Sequence, residues 1–210
     1  ASGSNAFAVG NDNSASGSTS TAMGRGTIAS GDDSTAMGYG TIASGLSSSA
    51  IGQRTTASGY YSTAMGVATN AEDYNSFSIG RFNKIDETPN PDSFSYQNTA
   101  FVIGNGGNDD EGNYDGHRSN AFEVLFDGTT TIAGDLNVNS DARLKANIIS
   151  LGSTLSKLLQ IDGKSYTMKK DESEKQKIGL LAQDIEKVFP ELVSESHGVK
   201  SVNYQGLVPV

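Results

Sequence analysis

From Ser4 to Glu87 the sequence repeats every 14 residues without an insertion. The seventh position of each unit is glycine: Gly10, Gly24, Gly38, Gly52, Gly66 and Gly80. The fifth position holds Ala8, Ala22, Ala36, Ala50, Ala64 and Ser78, and the sixth holds Val9, Met23, Met37, Ile51, Met65 and Ile79. A fixed period of this kind decides the fold class before any residue is weighed singly. Fourteen residues with one apolar β-former, one small residue and glycine-bearing turns suit one coil of a β-solenoid. The run before the glycine alternates small and large side chains as a short strand does, and the glycine supplies a turn that would strain other residues. Stacked at the strand spacing of ~4.8 Å, six coils rise roughly 25–30 Å. A disordered Gly/Ser linker would not keep Ile or Met at one phase.

One coil carries two or three apolar side chains, too few to offset backbone ordering at ~1–2 kcal/mol per residue. The apolar row therefore has to pack against copies of itself, as in a homo-oligomer wound about one axis. In the pattern S-x-A-x-G…A-x-A-S-G, residues 1–87 resemble the heads of trimeric autotransporter adhesins. That resemblance implies a left-handed parallel β-roll and a homotrimer; the period alone shows only that a partner is needed. In the last two units position 14 becomes Asp73 and Glu87, and Phe77, Phe82 and Ile85 enter. Terminal repeats of solenoids are commonly atypical caps, so these departures read as a cap rather than a binding site.

Residues 88–139 read as a β-rich connector or knob. Pro89 and Pro91 break the period, and short strands are predicted over 100–104, 121–126, 129–132 and 135–138. Between the first two lies a loop with Gly106, Gly107, Asp109, Asp110, Glu111 and Asp115. Oxygen-rich loops suit calcium, but this one lacks the EF-hand spacing, and acidic surface loops are ordinarily just solvated. No metal and no cofactor is expected. His117 beside Arg118 reads as a surface pair, with no second His or Cys nearby.

The material changes at residue 139. Residues 1–139 carry 5 Lys+Arg against 15 Asp+Glu, whereas residues 140–210 carry 10 against 9. A sequence pI near 4.6 argues against nucleic acid, which needs a basic face to replace counterions. No run of 18 apolar residues exists, so no membrane insertion is expected. The absence of cysteine excludes disulfide staples. No signal peptide is visible. Ala1-Ser2-Gly3 reads as the tail of a repeat already under way, so further sequence is expected upstream.

Residues 140–210 predict a small α+β domain. Ile148, Leu151, Leu155, Leu158 and Leu159 follow helical spacing over about 147–160. Strands are predicted over 164–168, 178–180 and 199–204, and a helix over 182–189 that Pro190 stops. Four stretches occur in a distinctive order: Ser140-Asp141-Ala142-Arg143-Leu144-Lys145, Gly179-Leu180-Leu181-Ala182-Gln183-Asp184, Phe189-Pro190-Glu191-Leu192-Val193 and Lys200-Ser201-Val202-Asn203-Tyr204. Together they resemble the endosialidase-type C-terminal intramolecular chaperone domain of phage tailspikes, tail fibres and the myelin regulatory factor family. The resemblance implies a domain that trimerises its fibre and then cleaves just before the serine of S-D-x-R-x-K with a Ser–Lys dyad. Carried over, Ser140 is the nucleophile, Lys145 the general base and Asn139–Ser140 the scissile bond. Arg143 is a supporting residue that either depresses the basicity of the lysine or holds the oxyanion. In this family the domain continues into a long helix around the trimer; here the sequence ends at Leu207-Val208-Pro209-Val210, so that helix is expected to be missing.

A serine hydroxyl is a poor nucleophile until a base takes its proton, and a lysine serves only when its surroundings favour the neutral amine. Residues five apart face different ways on a helix and opposite sides of a strand. The dyad thus requires either a turn between Ser140 and Lys145 or a lysine from a neighbouring chain. Taken by itself, the hexapeptide reads as a helix start, with Ser140 the N-cap and Lys145 a solvated charge.

The function expected is structural and attachment-related: part of a trimeric extracellular fibre on a phage or phage-tail-like particle, self-cleaving at Asn139–Ser140. A secreted bacterial trimeric adhesin on a cell surface is the alternative, and a pure spacer role is realistic. A glycan-degrading tailspike would need paired acids in a cleft, which coils this thin do not offer. Self-cleavage would be single-turnover, without conventional enzymatic turnover. A cell-surface receptor or glycan is a possible further partner; Tyr39, Tyr60, Tyr61 and Tyr74 offer faces for sugars, although aromatics on such surfaces commonly only pack.

Overall fold

The computed structural model describes residues 1–108, 117–169 and 174–208. The acidic-loop residues Asp109, Asp110, Glu111 and Asp115 lie outside the described residues. The chain divides into two units, Ala1–Asn137 and Val138–Val210.

The first unit is a β-solenoid. Five-residue and two-residue strands alternate along it: β1 Phe7–Asn11, β2 Ser14–Ala15, β3 Thr21–Arg25, β4 Ile28–Ala29, β5 Thr35–Tyr39, β6 Ile42–Ala43, β7 Ser49–Gln53, β8 Thr56–Ala57, β9 Thr63–Val67, β10 Asn70–Ala71 and β11 Phe77–Arg81. The long strands pair in parallel at a register of 14, so Gly24 faces Gly38 and Gly38 faces Gly52. The short strands form a second parallel sheet.

The interior is filled by the smallest residues. Ala22, Ala36, Ala50 and Ala64 stack in one column and Ala15, Ala29, Ala43, Ala57 and Ala71 in another, all fully buried. Serines and threonines (Ser20 to Ser62, Thr27 to Thr69) complete it. The coil is too tight for more. A Cβ on Gly52 would lie 2.1 Å from the Gly66 carbonyl oxygen, and one on Gly31 would lie 2.1 Å from that of Gly45. Gly52 also adopts φ +124°, a backbone that L side chains rarely take. The larger side chains of the sixth position stay out of this interior: Val9 and Met65 are 46% and 38% exposed, and Met23, Met37, Ile51 and Ile79 are half-buried.

Two other positions of each coil turn through the left-handed region without requiring glycine. Asn5, Thr19, Asp33, Ser47, Tyr61 and Asn75 occupy one, and Asp12, Arg54, Ala68 and Phe82 share the other with Gly26 and Gly40.

The solenoid sheet does not stop at residue 87. Strand β12, Thr99–Asn105, pairs in parallel with β11, bringing Phe101, Ile103 and Gly104 opposite Phe77, Ile79 and Gly80. Strands β13, Asn120–Leu125, and β14, Thr130–Ile132, then extend it antiparallel. Phe82, fully buried, closes the end. The Arg81 and Arg118 guanidinium carbons stand 5.5 and 5.8 Å from its ring centre. Arg118 donates to the Ala68 and Asn83 carbonyls at 2.9 and 3.1 Å. The expected His117–Arg118 surface pair is thereby corrected: Arg118 ties the cap together. Residues 135–138 form no strand; no strand among the described residues pairs with them, and Leu136 and Val138 are exposed.

In the second unit the predicted helix over 147–160 is reduced to one turn, α1, Leu155–Leu158. Asn147 and Gly152 take positive φ, and Ile148, Ile149, Leu151, Leu155 and Leu159 are all exposed. An amphipathic stripe forms a helix mainly by burying one face, and this chain alone offers these residues no surface. Strands β15, Lys164–Tyr166, and β16, Lys177–Gly179, make one hairpin. Helix α2, Ala182–Val188, buries Ala182 and Ile185, with Phe189 buried just beyond. Pro190 then opens a 3₁₀ turn. Strands β17, Val193–Ser196, and β18, Val199–Val202, close on His197-Gly198. Both turn residues have positive φ, as a two-residue hairpin of this twist requires. No helix among the described residues is long and apolar enough to cross a membrane.

Candidate active site

The stretch that carries the candidate chemistry is a single turn of 3₁₀ helix, Ala142–Leu144. Its N-cap is Asp141, in extended conformation, whose Oδ1 accepts the Arg143 backbone N–H at 2.9 Å. The Leu144 N–H reaches the Asp141 carbonyl at 3.0 Å and the Lys145 N–H that of Ala142 at 3.1 Å. This reverses the chain sharply enough to bring residues five apart together. Lys145 Nζ donates to Ser140 Oγ at 2.7 Å.

This geometry bears on two expectations. The helix-start reading of the hexapeptide is corrected: the capping residue is Asp141, and the Ser140 hydroxyl faces the lysine. Of the two ways to join the dyad, a turn within one chain suffices to place the amine on the hydroxyl.

Arg143 faces neither Ser140 nor Lys145. Its guanidinium grips the Asp141 carboxylate, with Nε 3.0 Å from Oδ1 and 3.1 Å from Oδ2 and a terminal nitrogen 2.6 Å from Oδ2. The Asp141 carboxyl is held below its ordinary range, first by the Arg143 side chain and then by the Arg143 backbone N–H. The guanidinium is in turn raised by the carboxylate. Ser140, Asp141, Arg143 and Lys145 are all exposed in the single chain. The turn thus sets a serine hydroxyl beside an amine with both open to water, whereas a lysine that acts as a base is ordinarily desolvated.

Asp73 is a residue whose role the repeat pattern concealed. It replaces the glycine of position 14, and its two oxygens accept the backbone N–H groups of Asn90 and Thr99 at 2.8 and 2.7 Å. Its buried carboxylate fastens the segment between β11 and β12. Beside it lies a cavity of about 400 Å³ lined by Glu72, Asp86, Glu87 and Glu123 among others. Burial is the first cause that raises the Glu72 carboxyl above its ordinary value. The described residues contain no group of His, Cys, Asp and Glu arranged to hold a metal ion.

Comparisons with known proteins match both halves of the sequence. Residues 1–27, 29–55 and 57–83 match the YadA head domain repeat, and residues 140–194 match the family described as chaperone of endosialidase. The chain therefore carries head repeats followed by an endosialidase-type chaperone domain. It is similar to the Long tail fiber protein Gp37 of Escherichia phage AR1, 32% identical over 91 residues, covering 39% of this chain and 8% of that protein. It is also similar to the Long tail fiber protein Gp37 of Salmonella phage S16, 36% identical over 83 residues, covering 35% of this chain and 11% of that protein. The chain thus matches about a tenth of these relatives' length. No solved structure matches.

Proposed function

We propose that this chain is a segment of a homotrimeric phage tail fibre whose C-terminal domain drives trimerisation and then releases itself by cleaving Asn139–Ser140. The observation that carries this reading is the order of two domain types on one chain, head repeats and then chaperone, beside similarity to tail-fibre proteins. A secreted adhesin shares the head repeats alone. Trimerisation is supported by what the single chain leaves uncovered. In the second unit Ile149, Ile178 and Val208 are 84%, 87% and 86% exposed, while the buried apolar side chains among the described residues are Ala182, Ile185 and Phe189. Large apolar side chains left this exposed are what a partner surface would cover.

The cleavage chemistry balances with the residues of the turn. Lys145 takes the Ser140 hydroxyl proton as Oγ attacks the Asn139 carbonyl carbon, forming a C–O bond. The Asn139–Ser140 C–N bond breaks, and the proton passes to the new α-amine. Water then hydrolyses the ester, leaving an Asn139 carboxylate and restoring the hydroxyl. Assembly would supply the desolvation that the exposed dyad lacks.

The test is to express the complete gene product and measure native and denatured mass beside Ser140→Ala and Lys145→Ala. A trimer yielding a fragment that begins at Ser140, with both variants whole, is the expected result. If all three stay whole as trimers, the domain is a permanent trimerisation cap. A monomeric product would overturn the fibre reading.

A further inference from the structure

The Asp141 carboxylate lies between the two members of the dyad in sequence, one residue after the nucleophile and four before the lysine. Left free, it would be the natural ionic partner of Lys145, since opposite charges four apart meet across a turn. Such a partner would favour the charged amine and compete with Ser140 for it. In the structure that carboxylate is occupied. The Arg143 guanidinium covers both oxygens, and the Arg143 backbone N–H takes Oδ1 as well. Lys145 is left with Ser140, at 2.7 Å. Among the described residues no acidic group of any element forms a salt bridge with Lys145.

The Arg143 side chain is 88% exposed and its partner 43%. An ion pair this exposed contributes little to folding, so stability does not account for it. The geometry points to Arg143 as a positioning residue: by holding the Asp141 carboxylate in a fork, it keeps that carboxylate off the Lys145 ammonium and leaves Lys145 to Ser140. This rests on the self-cleavage reading above, and it differs from the two roles the sequence left open, in which Arg143 acts on the lysine or the oxyanion directly.

The test uses the full gene product, made by cell-free synthesis into buffers from pH 6 to 10, with cleavage followed by denatured mass. Arg143→Gln should slow cleavage at pH 7 at least tenfold and move the rate profile to higher pH. Asp141→Asn/Arg143→Gln should return the rate to within about threefold of wild type and restore the original midpoint, because no carboxylate remains to be held. A profile that only falls, with an unmoved midpoint and no recovery in the double variant, overturns the proposal and leaves Arg143 an oxyanion or folding residue. A second readout works without cleavage. In the Ser140→Ala background, NMR titration of the Lys145 ε-methylene should move upward with Arg143→Gln and return with Asp141→Asn/Arg143→Gln. An unmoved titration there overturns the proposal. A wild type that stays whole refutes self-cleavage and, with it, any positioning role in it.

Discussion

The Asp73 carboxylate takes the backbone N–H of Thr99 at 2.7 Å, joining residues 26 apart, and with its other oxygen takes that of Asn90 at 2.8 Å. This one side chain docks the loop that follows β11 and starts β12 in register. Hydrogen bonds to a buried carboxylate are individually stronger than neutral ones. Asp73→Ala strands two backbone donors and should cost about 3 kcal/mol, read as a lowered midpoint in chemical denaturation. Asp73→Asn keeps one acceptor and should lose less than half as much.

Glycines at different positions of the 14-residue coil should respond very differently to substitution. At Gly52 a Cβ would meet the Gly66 carbonyl oxygen at 2.1 Å with φ at +124°, whereas at Gly26 nothing lies within 4 Å and φ is +63°. Ala68 already occupies the coil position of Gly26 with φ +52°. Gly26→Ala should therefore cost about 1 kcal/mol, and Gly52→Ala more than about 4 kcal/mol. Thermal melts of the two variants check the contrast.

Much of this was legible in the sequence because a strict period leaves few architectures. The invariant glycines and the parallel stack followed directly. What the period did not reveal was which side chains face inward. The apolar row was read as packing against copies of the chain, and nothing in the pattern said that a 14-residue coil encloses room only for Ala, Ser and Thr. The return of the solenoid sheet at β12 was hidden by spacing: Phe77 meets Phe101 at a separation of 24 rather than 14. In the second unit, helical spacing over 147–160 reported a stripe that needs a surface this chain alone does not provide. The β17–β18 hairpin went unread because His197-Gly198 stands where Asn-Gly would have announced the turn. At the candidate site, motif resemblance named Ser140 and Lys145, whereas the grip of Arg143 on Asp141 depends on side-chain directions within one turn.

Interior hydroxyls are not equivalent. Thr27 Oγ1 donates to Asn13 Oδ1 at 2.8 Å, while the buried hydroxyl of Thr55 has no partner. A buried polar group without a hydrogen bond is a cost that an isosteric apolar residue removes. Thr55→Val should be neutral or stabilising by up to about 1 kcal/mol, and Thr27→Val destabilising by about the same. Paired denaturation curves decide it.

The Glu72 carboxyl is raised by burial, partly offset by the Asp86 backbone N–H it accepts at 2.9 Å. A folded carboxyl raised above its unfolded value makes stability fall as pH climbs through that window, so the cost grows as the carboxyl ionises. Glu72→Gln keeps an acceptor for Asp86 and removes the charge. It should raise the melting temperature at pH 7 and leave it unchanged near pH 4, where the wild-type carboxyl is already protonated in the fold. An equal gain at both values would trace the effect to packing instead.

Lysine and arginine separate base from scaffold at residue 145. Both can donate to Ser140 Oγ, but a guanidinium does not give up its proton in proteins. Lys145→Arg should therefore retain trimer assembly and abolish the fragment beginning at Ser140, as completely as Lys145→Ala. Cleavage persisting in Lys145→Arg within tenfold of wild type would show that the cation only orients the serine, and that the proton leaves by another route. Native mass and fragment yield, measured on one preparation, report both properties together.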